Sequence, residues 1–432
     1  MRLRLPETFW PSSLDPRPFA SAAVANGVLA VVGLLTGMLA ARLLGAEGRG
    51  ELAAAQAWPL FLANLGSFGL TEAIAFFGAR VPSKARTVLT TGLLLAVPFV
   101  VAATGVGLWL LPRLLRGQPL DVQQVALLCL ALVPLLTLST APSQALRGVG
   151  RYGAWNVLRL VTPLSWLAML VAVRGSHYVS VRTLALGFIG TTALAALVTH
   201  VHAWRTLPGS ATLDRDLVRP MIAYSAPTMA VAIPRWLNLR LDQLIVIALL
   251  DARALGLYVV AVAWSGAARP LADVVAHNAV PALAGAQDIR HRSRLVYRAG
   301  AVAACVTSVL LLVATPALLP LVFGAEFADA IPVALVMVVA GAVEATNAVG
   351  GECLRGLGQP RAVLIAECVG LGVTIVALPV LVMLMGIMGA ACASLLSYSA
   401  ILVAQQRLMR APAESALVEI AAGMPPKLDS IA

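Results

Sequence analysis

Charge is what this sequence has least of. Only 12% of its 432 residues are Asp, Glu, Lys or Arg, while 60% are hydrophobic, against roughly a quarter and a half in a soluble domain. Ordinary water-soluble packing is excluded. No polar stretch is long enough to fold by itself, so the net charge of +11 lacks the soluble basic face that nucleic-acid binding needs. Cysteine is scarce too. Cys129, Cys305, Cys353, Cys368 and Cys392 lie in or at the edge of apolar runs, without CxxC or Cys/His spacing. They read as small packing residues, with neither disulfide nor metal site expected. HExxH, Walker and GxSxG signatures are missing, as are His and carboxylate clusters at ligand spacing. Hence no enzyme and no cofactor is expected, and without an ATP site any work against a gradient must come from ions or from the substrate's own gradient.

What is present is a series of long apolar runs. Because a span needs about 20 predominantly apolar residues, the sequence predicts helices near 19–44, 52–79, 87–111, 123–146, 154–173 and 183–204. Six more are predicted near 220–249, 254–280, 298–323, 330–354, 361–385 and 388–408. The first run is too long for the apolar core of a signal peptide and is expected to be a retained helix. Residues 1–18 then form a cytoplasmic N-terminal segment, 19–204 an N-lobe, 205–219 a polar cytoplasmic linker, 220–408 a C-lobe, and 409–432 a cytoplasmic tail. The tail, with Pro412, Pro425 and Pro426, reads as disordered.

The chain repeats itself at just under half its length. Leu146-Arg147-Gly148-Val149-Gly150 returns 208 positions later as Leu354-Arg355-Gly356-Leu357-Gly358, and Leu111-Pro112 as Leu319-Pro320. A shift of 206 relates Gly50 to Gly256 and Trp58 to Trp264. Six spans per half put both halves the same way round, which makes them parallel repeats about an axis along the membrane normal, with a path between them. Placing the N-terminus inside assigns 20 Arg and Lys residues to cytoplasmic segments and seven to the other side, so both termini are expected in the cytoplasm. The LRGxG pair has two readings. One is helix ends closed by glycine, with Arg147 and Arg355 facing the negative dipole end and lipid phosphates. The other is equivalent cytoplasmic corners on which the lobes rock.

Ionisable residues inside spans are costly and mark candidate sites. The seventh span is richest. Arg235, Asn238 and Asp242 share one helical face, Arg240 points elsewhere, and Pro227 and Pro234 interrupt the backbone ladder. An Arg235 to Asp242 bridge is the structural alternative to a functional stripe. The eighth span sets Arg269, Asp273 and His277 four residues apart beside Pro270, where Arg269 and Asp273 can satisfy each other. The tenth carries Glu344 and Asn347 near mid-membrane, and Glu352 beside Arg355 at its inner end. Glu367 is expected near the inner surface, solvated. In the first half the signals are thinner: Asn64 and Glu72 on one face of the second span with Gln56 further up, and Asn156 with a snorkelling Arg159 in the fifth.

Three stretches carry a resemblance. Ala41-Arg42-Leu-Leu-Gly45-Ala-Glu-Gly48-Arg-Gly50-Glu-Leu is similar to the loop after the first span of polysaccharide biosynthesis flippases. Tyr224-Ser-Ala-Pro227 running into Trp236-Leu-Asn-Leu-Arg240-Leu-Asp242-Gln-Leu resembles their seventh helix, and the two LRGxG turns stand in their usual places. The chain thus resembles the Wzx-like polysaccharide and O-antigen flippases of the multidrug/oligosaccharidyl-lipid/polysaccharide exporter superfamily. The resemblance implies an all-α polytopic membrane protein of twelve transmembrane helices, two parallel six-helix repeats in a MATE-like two-lobe fold. It implies a bacterial inner-membrane flippase that moves undecaprenyl-pyrophosphate-linked oligosaccharide to the outer leaflet by alternating access. Peptidoglycan-precursor flippases of the superfamily have more spans than the twelve for which this chain has room. Arg235, Asn238, Arg269, Asn64 and Asn347 are then expected to contact the headgroup, and Asp242, Asp273, Glu344 and Glu72 to serve coupling or gating. Arg147, Gly148, Arg355 and Gly356 form the cytoplasmic corners. Expected partners are the lipid-linked oligosaccharide, the bilayer, a coupling proton or sodium ion and the polysaccharide assembly machinery. Alternatives are a cation-coupled multidrug exporter and, from another class, an integral-membrane polysaccharide polymerase or ligase, against which the short outer loops argue.

Overall fold

A computed structural model describes residues 16–176, 178–283 and 288–410. The expected N-terminal segment before residue 16, the tail from Ala411 onward and the side chain of His277 lie outside the described residues. Within them the chain is helix and turn, with no strand. In order the helices are α1 (Pro16–Gly66), α2 (Leu70–Arg80), α3 (Ala85–Leu114), α4 (Leu120–Cys129), α5 (Leu132–Gly148), α6 (Tyr152–Leu158), α7 (Val161–Val173) and α8 (Val181–Thr206). The second half follows with α9 (Arg215–Leu249), α10 (Ala252–Ser265), α11 (Pro270–Leu283), α12 (Ile289–Phe323), α13 (Ile331–Gly356), α14 (Pro360–Met385) and α15 (Ile387–Arg410).

Every expected span falls on helix, and four of them, the second, fourth, fifth and eighth, are broken in two. Among the described residues nine helical stretches are long and apolar enough to cross a membrane, or ten if the pair Ala252–Ala268 and Pro270–Ala276, bent by 55°, is one span. Two features account for the difference from twelve. Val24–Arg80 is one stretch that holds two spans, turning at Gly45 (φ 70°, ψ −177°). The seventh span, α9, carries Arg235, Arg240 and Asp242 and three internal prolines, and is too polar to pass as an apolar span. Its helix nevertheless continues through Pro220, Pro227 and Pro234. The discontinuity expected there falls instead in the eighth span, at Gly266–Pro270, where proline follows Arg269 and lacks an N–H to continue the ladder. Thr307 Oγ1 donates to the Ala268 carbonyl at 2.8 Å, satisfying an acceptor at that break.

The apolar cores show how the halves are joined. One large cluster combines residues of both halves, Leu39 to Ala63, Leu111 to Val133 and Trp166 to Ala185 with Val246 to Ala261, Leu319 to Val338 and Leu378 to Ala393. These flank the turns at Gly45, Leu115–Pro119, 174–180, Leu250–Asp251, Gly324 and Gly386, which define one end of the bundle, here the Gly45 end. Toward the opposite, Gly150 end the cores separate. There the first half holds its own cluster, joined only by α9 residues such as Met221, and the second half holds several smaller ones.

At the Gly45 end the two repeats meet on equivalent residues. A Cβ on Gly50 would lie 1.6 Å from the Ala252 carbonyl oxygen, and one on Gly256 would lie 1.8 Å from that of Ala46. Ala46 and Gly50 are each related to Ala252 and Gly256 by the shift of 206. A small-xxx-small pair from each half therefore packs on its own repeat, backbone against backbone, at the pseudo-twofold axis. The LRGxG ends also match one another. Gly150 (φ 78°) and Gly358 (φ 74°) take the left-handed conformation. In both, a 6→1 bond (Arg151 to Leu146, Gln359 to Leu354, each 2.9 Å) closes the helix end.

The linker between halves docks on the start of α3. Arg86 donates to the Leu207 carbonyl at 2.7 Å and Thr87 Oγ1 to that of Ser210 at 2.9 Å, while the Asp214 N–H donates to Thr91 Oγ1 at 3.0 Å. The first turns of α9 remain on the first half. Tyr224 stacks on Phe76 at 4.3 Å, and Ser225 Oγ donates to the carbonyl of Gly69, at the break in the second span, at 3.3 Å. Only its later turns reach the second half.

Candidate functional site

The later turns of α9 bring Arg235 and Asn238 against α14 and α13. Arg235 lies 3.4 Å from Glu367 Oε1 and 3.6 Å from Glu344 Oε1. Glu344 reaches in turn to Arg269, whose Nη1 is 2.8 Å from Glu344 Oε2 and whose Nη2 is 3.7 Å from Asp273 Oδ1. Five charges from four helical elements form one chain of contacts. The two arginines and Asp273 at the end of the chain stay part-exposed, with 33%, 31% and 34% of the Arg235, Arg269 and Asp273 side chains accessible, whereas Glu344 and Glu367 keep 7% and 5%. Two buried carboxylates therefore hold guanidiniums that stay about one-third accessible, a placement in which planar forks can receive an anion.

Asn238 fixes this arrangement from beneath. Its Nδ2 donates to the backbone oxygen and to Oε2 of Glu367, both at 2.9 Å. Thr374 Oγ1 approaches Asn238 Oδ1 at 3.4 Å and bonds Ser397 Oγ at 2.8 Å. The Tyr398 hydroxyl donates to the Asn238 carbonyl at 3.4 Å, and Asn347 Nδ2 donates to the Tyr398 carbonyl at 2.8 Å. A polar shell this deep in an apolar bundle tolerates burial because its members partner one another.

Glu367 is thus not solvated near the inner surface, as its position in the sequence implies. It is buried at the centre of the network, because α14 turns it toward α9. The Arg235 to Asp242 bridge does not form either. Seven residues along a helix is about 10 Å, and each end finds a nearer partner: Asp242 accepts from the Tyr258 hydroxyl at 2.6 Å and from the Gln243 N–H at 2.7 Å. Tyr258, Tyr398, Thr374 and Ser397 are site residues that sequence reasoning missed. Glu367 and Thr374, seven apart on α14, gave the one signal that could have found them.

Among the described residues the first half supplies no comparable network. Asn64 is exposed and bonds its own helix at the Leu60 carbonyl, 2.9 Å, and Glu72 accepts from Thr71 at 2.7 Å. Arg159 does not snorkel alone. It donates to Asn26 Oδ1 at 2.7 Å and lies 4.4 Å from the Trp155 ring centre, with Arg147 on the same ring at 5.3 Å. Of the corner residues, Gly148 packs so closely on α2 that a Cβ would meet the Ala75 carbonyl at 2.4 Å, and Gly356 meets Leu283. Arg355 pairs with Glu352.

The sequence matches the polysaccharide biosynthesis protein family across residues 17–287, more than half of the chain. The chain belongs to that family. No curated protein matches it significantly. Within the family frame, its fold is shared with solved transporters at low identity. The lipid II flippase MurJ in an inward closed conformation superposes with a TM-score of 0.72 at 11% identity, covering 94% of this chain and 93% of that one. An inward-facing multidrug resistance MATE transporter of the MOP superfamily gives 0.70 at 14%, covering 93% and 100%. A MOP superfamily transporter from Pyrococcus furiosus gives 0.62 at 13%, covering 94% and 95%. This family member is therefore an all-α, two-lobe membrane protein of the MOP transporter fold.

Proposed function

We propose that this protein is a flippase of surface-polysaccharide biosynthesis, moving an undecaprenyl-pyrophosphate-linked oligosaccharide from the inner to the outer leaflet of the bacterial cytoplasmic membrane by alternating access. The observation that carries the reading is the pair of part-exposed guanidiniums, Arg235 and Arg269, backed by buried Glu344 and Glu367. A pyrophosphate cannot cross about 30 Å of hydrocarbon unaided. Fixed guanidinium forks in a wet space between lobes remove much of that cost, while the lipid tail stays in the bilayer. The split of the apolar cores supports movement of the lobes about the Gly45 end. With both termini in the cytoplasm, as the Arg and Lys distribution supports, that closed end faces outward and the lobes part toward the cytoplasm. Arg235 and Arg269 take the headgroup, with Asn238 holding Glu367 beneath Arg235 and Asn347 behind it, both buried. Asp242, Asp273 and Glu344 are the groups for a coupling proton or sodium ion, Glu72 being spent on a local bond to Thr71, and the assembly machinery receives the product.

A second reading has one observation in its favour. The network holds three carboxylates, Glu344, Glu367 and Asp273, to two arginines, a balance that suits a cationic drug better than an anionic lipid. Depleting the protein in its host, with lipid-linked sugars extracted and surface polysaccharide quantified in parallel, separates the two. The flippase reading expects build-up of an intact undecaprenyl-linked oligosaccharide and loss of the polymer. Unchanged pools in a host without a redundant flippase, together with lost resistance to cationic drugs, would install the exporter instead.

A further inference from the structure

The Arg42-Leu-Leu-Gly45-Ala-Glu stretch has a use that the substrate site does not absorb. At Gly45 the helix turns and restarts, so the Ala46 N–H is the first donor of a new helix and lacks a partner within it. Glu326 of the second half supplies one: its Oε2 accepts from the Ala46 N–H at 3.1 Å. Both Glu326 oxygens would lie 3.2 Å from a Cβ at Gly45, which is left-handed as well (φ 70°). Glycine is thus required by the left-handed turn, and a Cβ there would also crowd the carboxylate. Across the interface the roles reverse. α12 ends at Phe323, leaving its last carbonyls open. Arg42 of the first half donates through Nε to the Val322 carbonyl at 2.8 Å and through Nη2 to the Leu321 carbonyl.

Each lobe therefore caps a helix end of the other, an acid on an N-terminus and a base on a C-terminus, both with the favourable sign for the helix dipole. Among the described residues Arg42 and Glu326 form no ion pair with one another. We propose that these two reciprocal caps are the latch of the Gly45 end: they hold the lobes shut there and must both release when the protein opens on that side. The inference rests on the alternating-access reading. The Gly50/Gly256 contact is a fixed steric fit, whereas the caps sit at the exposed rim, where water can replace each bond and make closure reversible.

The test is a distance measurement on the purified full chain in nanodiscs without substrate, so its result does not depend on whether a lipid-linked sugar is carried. Bio-orthogonal spin labels at Arg116 and Ala328, exposed on opposite halves at this end, report the gap by pulsed electron resonance. Glu326→Gln and Arg42→Ala should each lower the ratio of short to long distances about fivefold. Combining Arg42→Glu with Glu326→Arg should open the end further, because each new charge opposes a helix dipole. Arg42→Lys, which keeps the charge and a donor, should lie between wild type and Arg42→Ala, and it gives the reading if the alanine variant does not fold. Unchanged distributions in both single variants would overturn the latch even if depletion blocks flipping. Restoration of the wild-type distribution by the double reversal would overturn it too, since only a direct ion pair is rescued by exchange.

Discussion

The two halves share a backbone plan but divide the chemistry unequally. Gly50 and Gly256, and the caps at Gly150 and Gly358, are the same device used twice. Among the described residues, the network of Arg235, Glu344, Glu367, Arg269 and Asp273, with its Asn238, Thr374 and Ser397 shell, has no counterpart in the first half. At equivalent depth the first half offers Asn64 and Glu72, each bonded locally. Positions that set how lobes touch must match, because a pseudo-twofold contact pairs each residue with its own repeat. Positions away from that axis are under no such constraint. Repetition therefore marks mechanics, and departure from it marks the site.

The strongest way to break the shared part is to fill the crossing. Gly50→Val or Gly256→Val places a branched side chain where even a Cβ would stand 1.6 or 1.8 Å from a carbonyl oxygen, and no rotamer relieves a clash with backbone. Both should abolish closure of the Gly45 end and reduce flipping in membrane vesicles by more than about tenfold. The two should match in severity; a mild Gly256→Val beside a severe Gly50→Val would mean the contact is not symmetric. Next in size is Glu344→Ala, which leaves Arg235 and Arg269 short of their common partner. Because each guanidinium is about one-third exposed and can be rehydrated, the loss should be about 2 kcal/mol rather than that of a fully buried pair. Thermal unfolding in detergent would read it, with Glu344→Gln milder. Arg235→Ala should cut flipping about tenfold at unchanged expression; full flipping would take that residue out of the mechanism.

How much of this was legible in the sequence follows from the same division. Hydropathy and the repeat located the helices and the two halves because span length and the lobe contact impose spacing on the chain itself. The glycine of the LRGxG ends was legible because a left-handed cap is a local demand. Arg235, Asn238 and Glu344 stood out as polar residues in apolar runs. Glu367 did not, since a carboxylate about two turns from a helix start reads as solvated until α9 is seen against α14. Arg42 and Glu326 were equally silent: their partners are backbone atoms 279 to 280 positions away, and a backbone acceptor has no letter in a sequence. Pro227 and Pro234 misled in the other direction, since a membrane helix can carry proline unbroken when neighbouring groups take up the freed carbonyls.

The smallest predicted effect sharpens the comparison most. Glu72 bonds Thr71 beside it, and Asn64 bonds its own helix, so neither holds a charge or a neighbouring helix in place. If the two halves shared the substrate equally, Glu72→Gln and Asn64→Ala would cost as much as changes to Arg235. The one-sided network argues that they should not: removing a local hydrogen bond, exposed at Asn64 and part-buried at Glu72, costs about 1 kcal/mol, and flipping should stay within about twofold of wild type for each. Vesicle flipping assays with Glu72→Gln, Asn64→Ala and Arg235→Ala run together decide the matter. Equal losses would mean that the first half contributes a binding surface which forms only with substrate bound. The asymmetry seen between the lobes would then belong to one state of the cycle and not to the site.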